Sequence, residues 1–350
     1  MANRIPLIHT TDLYHPPQDP DDHIDLLTAV ALPELELKAV ILDCTQKFLD
    51  PAPVGQNIRR DPGLVPVAQL GYLLGNTIPA ACAPTQPLRD RHDNVQDRPR
   101  KEQAGVELLL QTLADSPEPV LISVMGSARA VTAAFNRAPE LVRNKTRAIL
   151  LNAGSTSAAH IEWNVQLDPA AFEGLWHTGV PIHWYPCCTD SGAFNPTHER
   201  GTFYRISHEQ LLAGLAPSLL SWIYYAFTAS SRGDIVHALS EPAAGAVWEH
   251  VRSGQRSLWS TASLIMASGR IPVHTAEGWR FISKKQTDTL PSCPLFLDPI
   301  EITGISQQKI DWQINASAEK HLLFRREPGT GYSTAMAEAL NGLLKTITIA

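Results

Sequence analysis

The chain is short of several features that mark whole classes of protein. It has no run of about 18 apolar residues, so no helical membrane span is expected. Its first residues, Met1-Ala2-Asn3-Arg4-Ile5-Pro6, lack the long apolar stretch of a signal peptide. It has no basic surplus: 29 Lys and Arg stand against 35 Asp and Glu, a formal net charge of −6. That balance argues against a general nucleic-acid binder. Cysteine is scarce, and Cys44, Cys82, Cys187, Cys188 and Cys293 show no metal-type spacing. An odd count with one adjacent pair suits reduced, mostly buried thiols, and a cytoplasmic location is expected. The chain also lacks internal repeats, low-complexity tracts and any convincing linker. Its 350 residues therefore read as one domain, least patterned beyond about residue 250.

What is present is an alternation of strand and helix signals, which predicts an α/β fold with an open, mostly parallel sheet flanked by helices. Strands are expected at 5–8, 37–42, 77–82, 120–124, 148–151 and 180–185. Helices are expected from about Asp21, then over 64–74, 101–114, 128–135, 169–177 and 335–344, with helical patterns dominating 208–250. Asp168 before Pro169 reads as an N-cap followed by proline at the first helical position. The polar, proline-bearing stretch 84–100 reads as a surface loop, and long loops often carry function. Residues 259–300 follow no clear period.

One cluster stands out: Asp19-Pro20-Asp21-Asp22-His23-Ile24-Asp25, with Asp12 just upstream. It lies between the first strand and the first helix, at the carboxyl edge of the expected sheet. Ligands bind at that edge in open α/β sheets. Carboxylates converging there repel one another unless a hard cation lies between them. Taken alone, Asp21 and Asp22 also suit the first turn of any helix, where acidic groups oppose the dipole.

Four segments in order resemble the inosine-uridine-preferring nucleoside hydrolase family. Thr11-Asp12 followed by Asp21-Asp22-His23-Ile24-Asp25 is similar to the family's first Asp-rich motif with an insertion. Residues 35–40 are similar to its second strand. Ile122 to Ala130 is similar to its strand and Gly-Pro-Leu-Thr-Asn turn. The stretch Ile161-Glu162-Trp163-Asn164-Val165-Gln166-Leu167-Asp168-Pro169-Ala170-Ala171 is similar to Ala-Glu-Phe-Asn-x-x-x-Asp-Pro-Glu-Ala.

The resemblance implies a calcium-dependent N-ribohydrolase that serves nucleoside salvage and assembles as a homo-oligomer. It implies Ca2+ held by Asp12, Asp22, the main-chain carbonyl of Met125 and Asp234, with Asp12 also holding the attacking water. It places Asp21, Glu162 and Asn164 on ribose hydroxyls. Gln46 and Thr156 fall near two further ribose contacts, and Trp163 gains a claim to stack on the base. The histidine that assists the departing base has no direct counterpart, because Gly233 stands before Asp234; His92 and His237 are the candidates. Thr10 stands where the family has its first Asp. The insertion Leu13–Pro20 separates Asp12 from Asp21, so that either Asp12 or Asp19 reaches the metal. These departures leave a second reading open: a nucleoside- or ribose-binding regulatory protein on the same scaffold.

Overall fold

The computed structural model describes residues 4–17, 19–49, 61–228, 230, 232–286, 290–329 and 331–350. Thirteen strands are defined among them. The first six are β1 (Ile5–Thr11), β2 (Leu35–Leu42), β3 (Ala80–Cys82), β4 (Val120–Met125), β5 (Thr146–Leu151) and β6 (Ile182–Trp184). Next come β7 (Tyr204–Ser207), β8 (Gln255–Leu258), β9 (Arg270–Thr275) and β10 (Gly278–Ser283). The last three are β11 (Leu295–Ile305), β12 (Ile310–Ile314) and β13 (His321–Arg326).

Nine of these strands form one sheet in the order β12-β11-β13-β6-β5-β4-β1-β2-β3. All pairings from β3 across to β13 are parallel, and near one edge β11 alone runs in the opposite direction, antiparallel to both β13 and β12. This is the open, mostly parallel sheet expected. Strands buried on both faces need near-continuous apolar sequence, and every residue of β4, Val120 to Met125, is buried. Alternate side chains enter opposite layers. Leu7, Val40, Leu42 and Leu121 pack into one apolar core with the terminal helix Tyr332–Leu344. Ile8, Ala39, Ile41 and Ile122 pack into the other.

The chain order reverses at β1. Strands β2 and β3 extend the sheet to one side, and the chain then crosses back to lay β4 on the other. Thr11 and Met125, the last residues of β1 and β4, are register partners. Their carboxyl ends flank the crevice that such a reversal opens.

As its pattern predicts, the described part of 208–250 is largely helical, with α-helices His208–Leu212, Pro217–Phe227 and Gly245–Arg252 and a 3-10 turn His237–Ser240. Gly214, in the left-handed region at φ 71°, ends the first of them. Residues 259–300 hold a helix, Thr261–Ala267, the β9–β10 hairpin and the start of β11. In β11 Pro299 and a register shift between Ile302 and Gly304 break the alternation that marks a strand. The expected strand at 77–82 forms only over Ala80–Cys82.

Candidate active site

A cavity of about 720 Å³ opens at the β1–β4 crevice, with Asp12, Asp21, Asp22 and Met125 in its lining. Asp12 is the residue after β1, and Asp21 and Asp22 open the helix Asp21–Ala31. That helix directs its positive end at the cavity, and carboxylates there oppose its dipole. The dipole does not offset their crowding. Burial, then the charge of Asp12, then that of Asp21, hold the Asp22 carboxyl well above its ordinary range. Burial foremost, with Asp19 next, also holds Asp21 well above it, while Arg256 works the other way. Asp12 is raised chiefly by burial and shares a hydrogen bond with Asp22. Buried carboxyls crowded together in this way are the arrangement a cation relieves. The donors are all oxygen, so the set fits a hard ion such as Ca2+.

The insertion between Asp12 and Asp21 folds inward. Leu13 and Tyr14 are buried. The Tyr14 backbone N–H donates to the Asp12 carbonyl at 2.8 Å, and the Tyr14 hydroxyl accepts the Thr45 N–H at 2.5 Å. His15 stacks on Tyr225, and its backbone pairs with Asp61. Asp19 turns outward to an ion pair with Arg256. Asp12 and Asp19 both line the cavity, but only Asp12 contacts Asp22.

A buried polar network fixes the turn after β4. Asp43 accepts from the Ser127 backbone N–H, and from the Ser127 hydroxyl at 2.9 Å. A Cβ at Gly126 would lie 2.4 Å from the Asp43 carboxylate, so only glycine fits there. Burial raises the Asp43 carboxyl to about 6, against the pull of Arg129 and the Ser127 hydrogen bonds. Arg129 and Asp168, both with fully buried side chains, form an ion pair at 2.8 Å. Asp168 also caps the helix Pro169–Trp176 through the Ala171 N–H, as its sequence position predicts.

Glu162 is buried and caps the short helix Trp163–Leu167. It accepts from Gly154 N (2.9 Å), Asn164 N (3.0 Å) and Val165 N (3.3 Å). Burial raises its carboxyl in spite of these bonds. Glu162, Trp163 and Asn164 all line the cavity. Two aromatic groups form its walls. On one side Tyr14 meets Phe48 edge-on at 6.1 Å, Phe48 lies 5.7 Å from Trp163, and the Lys47 ammonium sits over both Phe48 and Trp163. On the other, Phe194 packs edge-on against Trp259 at 5.4 Å.

Five of the sequence-predicted residues lie elsewhere. Gln46 is exposed and outside the lining, and Thr156 is also outside it, its backbone held by Cys188 and Trp312. His92 is exposed and contacts Arg91 at 3.0 Å. Asp234 and His237 form a surface group with Glu241, their ligand atoms within 4.8 Å of one another. Arg232 contacts both Asp234 and Glu241 at 2.5 Å, so the carboxylates already face a cation. Asp234 therefore does not join Asp12 and Asp22. The lining also holds His160, Cys187, Phe194 and Trp259. They come from loops whose sequence carries no period or capping signal.

No family model matches the chain. Among curated proteins, the pyrimidine-specific ribonucleoside hydrolase RihA of Citrobacter koseri is 32% identical over 184 residues, 46% of this chain and 55% of the relative. The chain thus spans about half the length of the curated relatives it matches. Among solved structures, the purine-preferring ribonucleoside hydrolase of Gardnerella vaginalis superposes with TM-score 0.53 at 12% identity, covering 98% of this chain and 100% of its own. The inosine-uridine preferring nucleoside hydrolase of Bacillus anthracis gives TM-score 0.51 at 12% identity, with 99% and 100% covered. The structural likenesses carry the fold, and over about half of its length the chain is similar in sequence to ribonucleoside hydrolases.

Proposed function

We propose that this protein hydrolyses the N-glycosidic bond of a ribonucleoside or related riboside, releasing ribose and a base. The observation that carries the proposal is the convergence of Asp12, Asp21 and Asp22 with Met125 in one cavity at the sheet reversal, between two aromatic walls. The proteins it is similar to are nucleoside hydrolases named for pyrimidine, purine or inosine-uridine preference, which supports the reaction and leaves the base class open.

The reaction replaces a C1′–N bond with a C1′–O bond through an oxocarbenium-like state. Asp12, Asp22 and the Met125 carbonyl would hold a calcium ion, which when bound supplies a Lewis acid that makes water acidic at neutral pH. Asp12 accepts the proton that the attacking water loses. Asp21, Glu162 and Asn164 grip the sugar hydroxyls, so that binding energy offsets the cost of distorting the ring. The electron pair of the broken bond leaves on the base nitrogen. His160, the one histidine among the described lining residues, is the group assigned to protonate that nitrogen, and Trp163 and Phe194 are assigned to the base.

The test is ribose release from a panel of purine, pyrimidine and nicotinamide ribosides, with calcium or a chelator, beside Asp22→Ala. Calcium-dependent release lost in the variant is expected. Calcium binding with no release from any riboside refutes the proposal.

A further inference from the structure

The floor of the cavity poses a problem of hydrogen-bond matching. A sugar hydroxyl donates one hydrogen bond and accepts up to two, whereas an ionised carboxylate only accepts. Asp12, Asp21, Asp22 and Glu162 can satisfy the O–H protons of a ribose but not its oxygens. The lining therefore needs donors near the floor; the Asn164 side-chain amide is one, and most other candidates are committed. Trp259 donates its indole N–H to the Ala193 carbonyl at 2.7 Å, and Gln166 donates its amide to the Ile161 carbonyl at 2.8 Å. The His160 ring contacts the Asp190 carbonyl at 3.2 Å, and Ser260 bonds Asp25. Trp163 stands exposed at the rim.

Tyr14 differs from all of these. It is 3% exposed, and its phenol oxygen is fixed by the Thr45 N–H at the end of β2. Its backbone is tied to Asp12, and its ring is held against Phe48. Accepting from Thr45 uses an oxygen lone pair and leaves the O–H proton to donate. Among the described residues that proton has no recorded acceptor. A buried donor without a partner is costly unless a ligand supplies one.

We propose that Tyr14, carried inward by the inserted loop, is a substrate-binding residue that donates a hydrogen bond to a ribose hydroxyl oxygen at the floor of the cavity. It joins the Asn164 amide as a neutral donor over the acidic floor. Gln46, next to Thr45, does not reach the lining, and the inserted loop delivers a phenol to the same strand end. This inference rests on the proposed riboside chemistry and selects sugars with a free hydroxyl at the Tyr14 position.

The experiment compares the wild-type protein with Tyr14→Phe on a riboside and on its 2′-, 3′- and 5′-deoxy analogues. On the full riboside, kcat/KM is expected to fall about 3- to 10-fold, the range for one neutral hydrogen bond. On the one analogue that lacks the partner hydroxyl, the two proteins should perform alike. A merely structural role would lower every substrate by the same factor, and that result overturns the inference, as does a Tyr14→Phe variant equal to wild type on the full riboside. Should the wild type release no ribose from any substrate, the proposed function falls on its own. Calorimetry of ribose binding in calcium then decides the inference. Weaker binding by the variant upholds it; equal binding, or none by either protein, overturns it.

Discussion

Asp25 offers a measurement whose sign is opposite to ordinary acid denaturation. It is the fifth residue of the first helix, 1% exposed, and accepts from the Thr261 hydroxyl at 3.1 Å. Burial raises its carboxyl from 3.8 to about 7, and the bonds from Thr261 and Ser260 only partly oppose that. Below pH 3.8 the group is neutral in folded and unfolded chains alike. Between 3.8 and about 7 the unfolded chain ionises it while the folded chain keeps the proton. Stability is therefore lost as pH rises through that window, at up to about 1.4 kcal/mol per pH unit. Over the window the loss amounts to about 4 kcal/mol, an order-of-magnitude figure. Asp25→Asn is neutral at every pH and escapes this loss. Urea denaturation at pH 5 and pH 8, in chelator, should show the wild type losing more stability than the variant by about 2–3 kcal/mol. Using the difference between two pH values cancels any fixed cost of the amide. Parallel pH dependences in the two proteins would refute the burial argument, because Asp25 would then titrate alike in both states.

Other tests address other parts of the site. Arg129→Met leaves Asp168 buried without its ion partner and should cost about 3–5 kcal/mol, read in the same denaturation assay. Gly126→Ala drives a methyl into the Asp43 carboxylate and should weaken both folding and calcium binding, the latter followed by calorimetry. Asp22→Ala should abolish the calcium-induced rise in melting temperature, whereas Asp234→Ala should leave it unchanged, since Arg232 already occupies that surface cluster. Trp163→Ala should raise KM more than it lowers kcat, because a stacking wall acts on bound and reacting substrate alike.

The parallel half of the sheet was legible because each strand is a continuous apolar run between turn signals, as in Val120–Met125. The floor was legible for a different reason: Asp12, Asp21 and Asp22 sit at a strand end and a helix start, where local position fixes direction. Glu162 was legible as a motif, but its three backbone donors show that the capping role and the cavity position coexist in one side chain. What the sequence hid depends on long-range packing. Whether His92, Gln46 or Asp234 faces the cavity is decided by contacts with Arg91, Thr85 and Arg232 rather than by local pattern. Tyr14 lay inside a stretch that reads only as an insertion, and nothing local says that its ring turns inward. Trp259 joins the lining from a segment with no period, held by Ala193, 66 residues away.

The division between floor and walls has a consequence for how such a protein can change. The floor is drawn from Asp12, Asp21, Asp22 and Met125, at the ends of β1 and β4 and the start of the first helix. The walls are drawn from Phe48, Trp163, Phe194 and Trp259, each on a different loop or short helix. A substitution in one wall alters what planar group fits without disturbing the carboxylates beneath. A lineage could therefore exchange one leaving group for another by loop replacement while its sugar chemistry stays fixed.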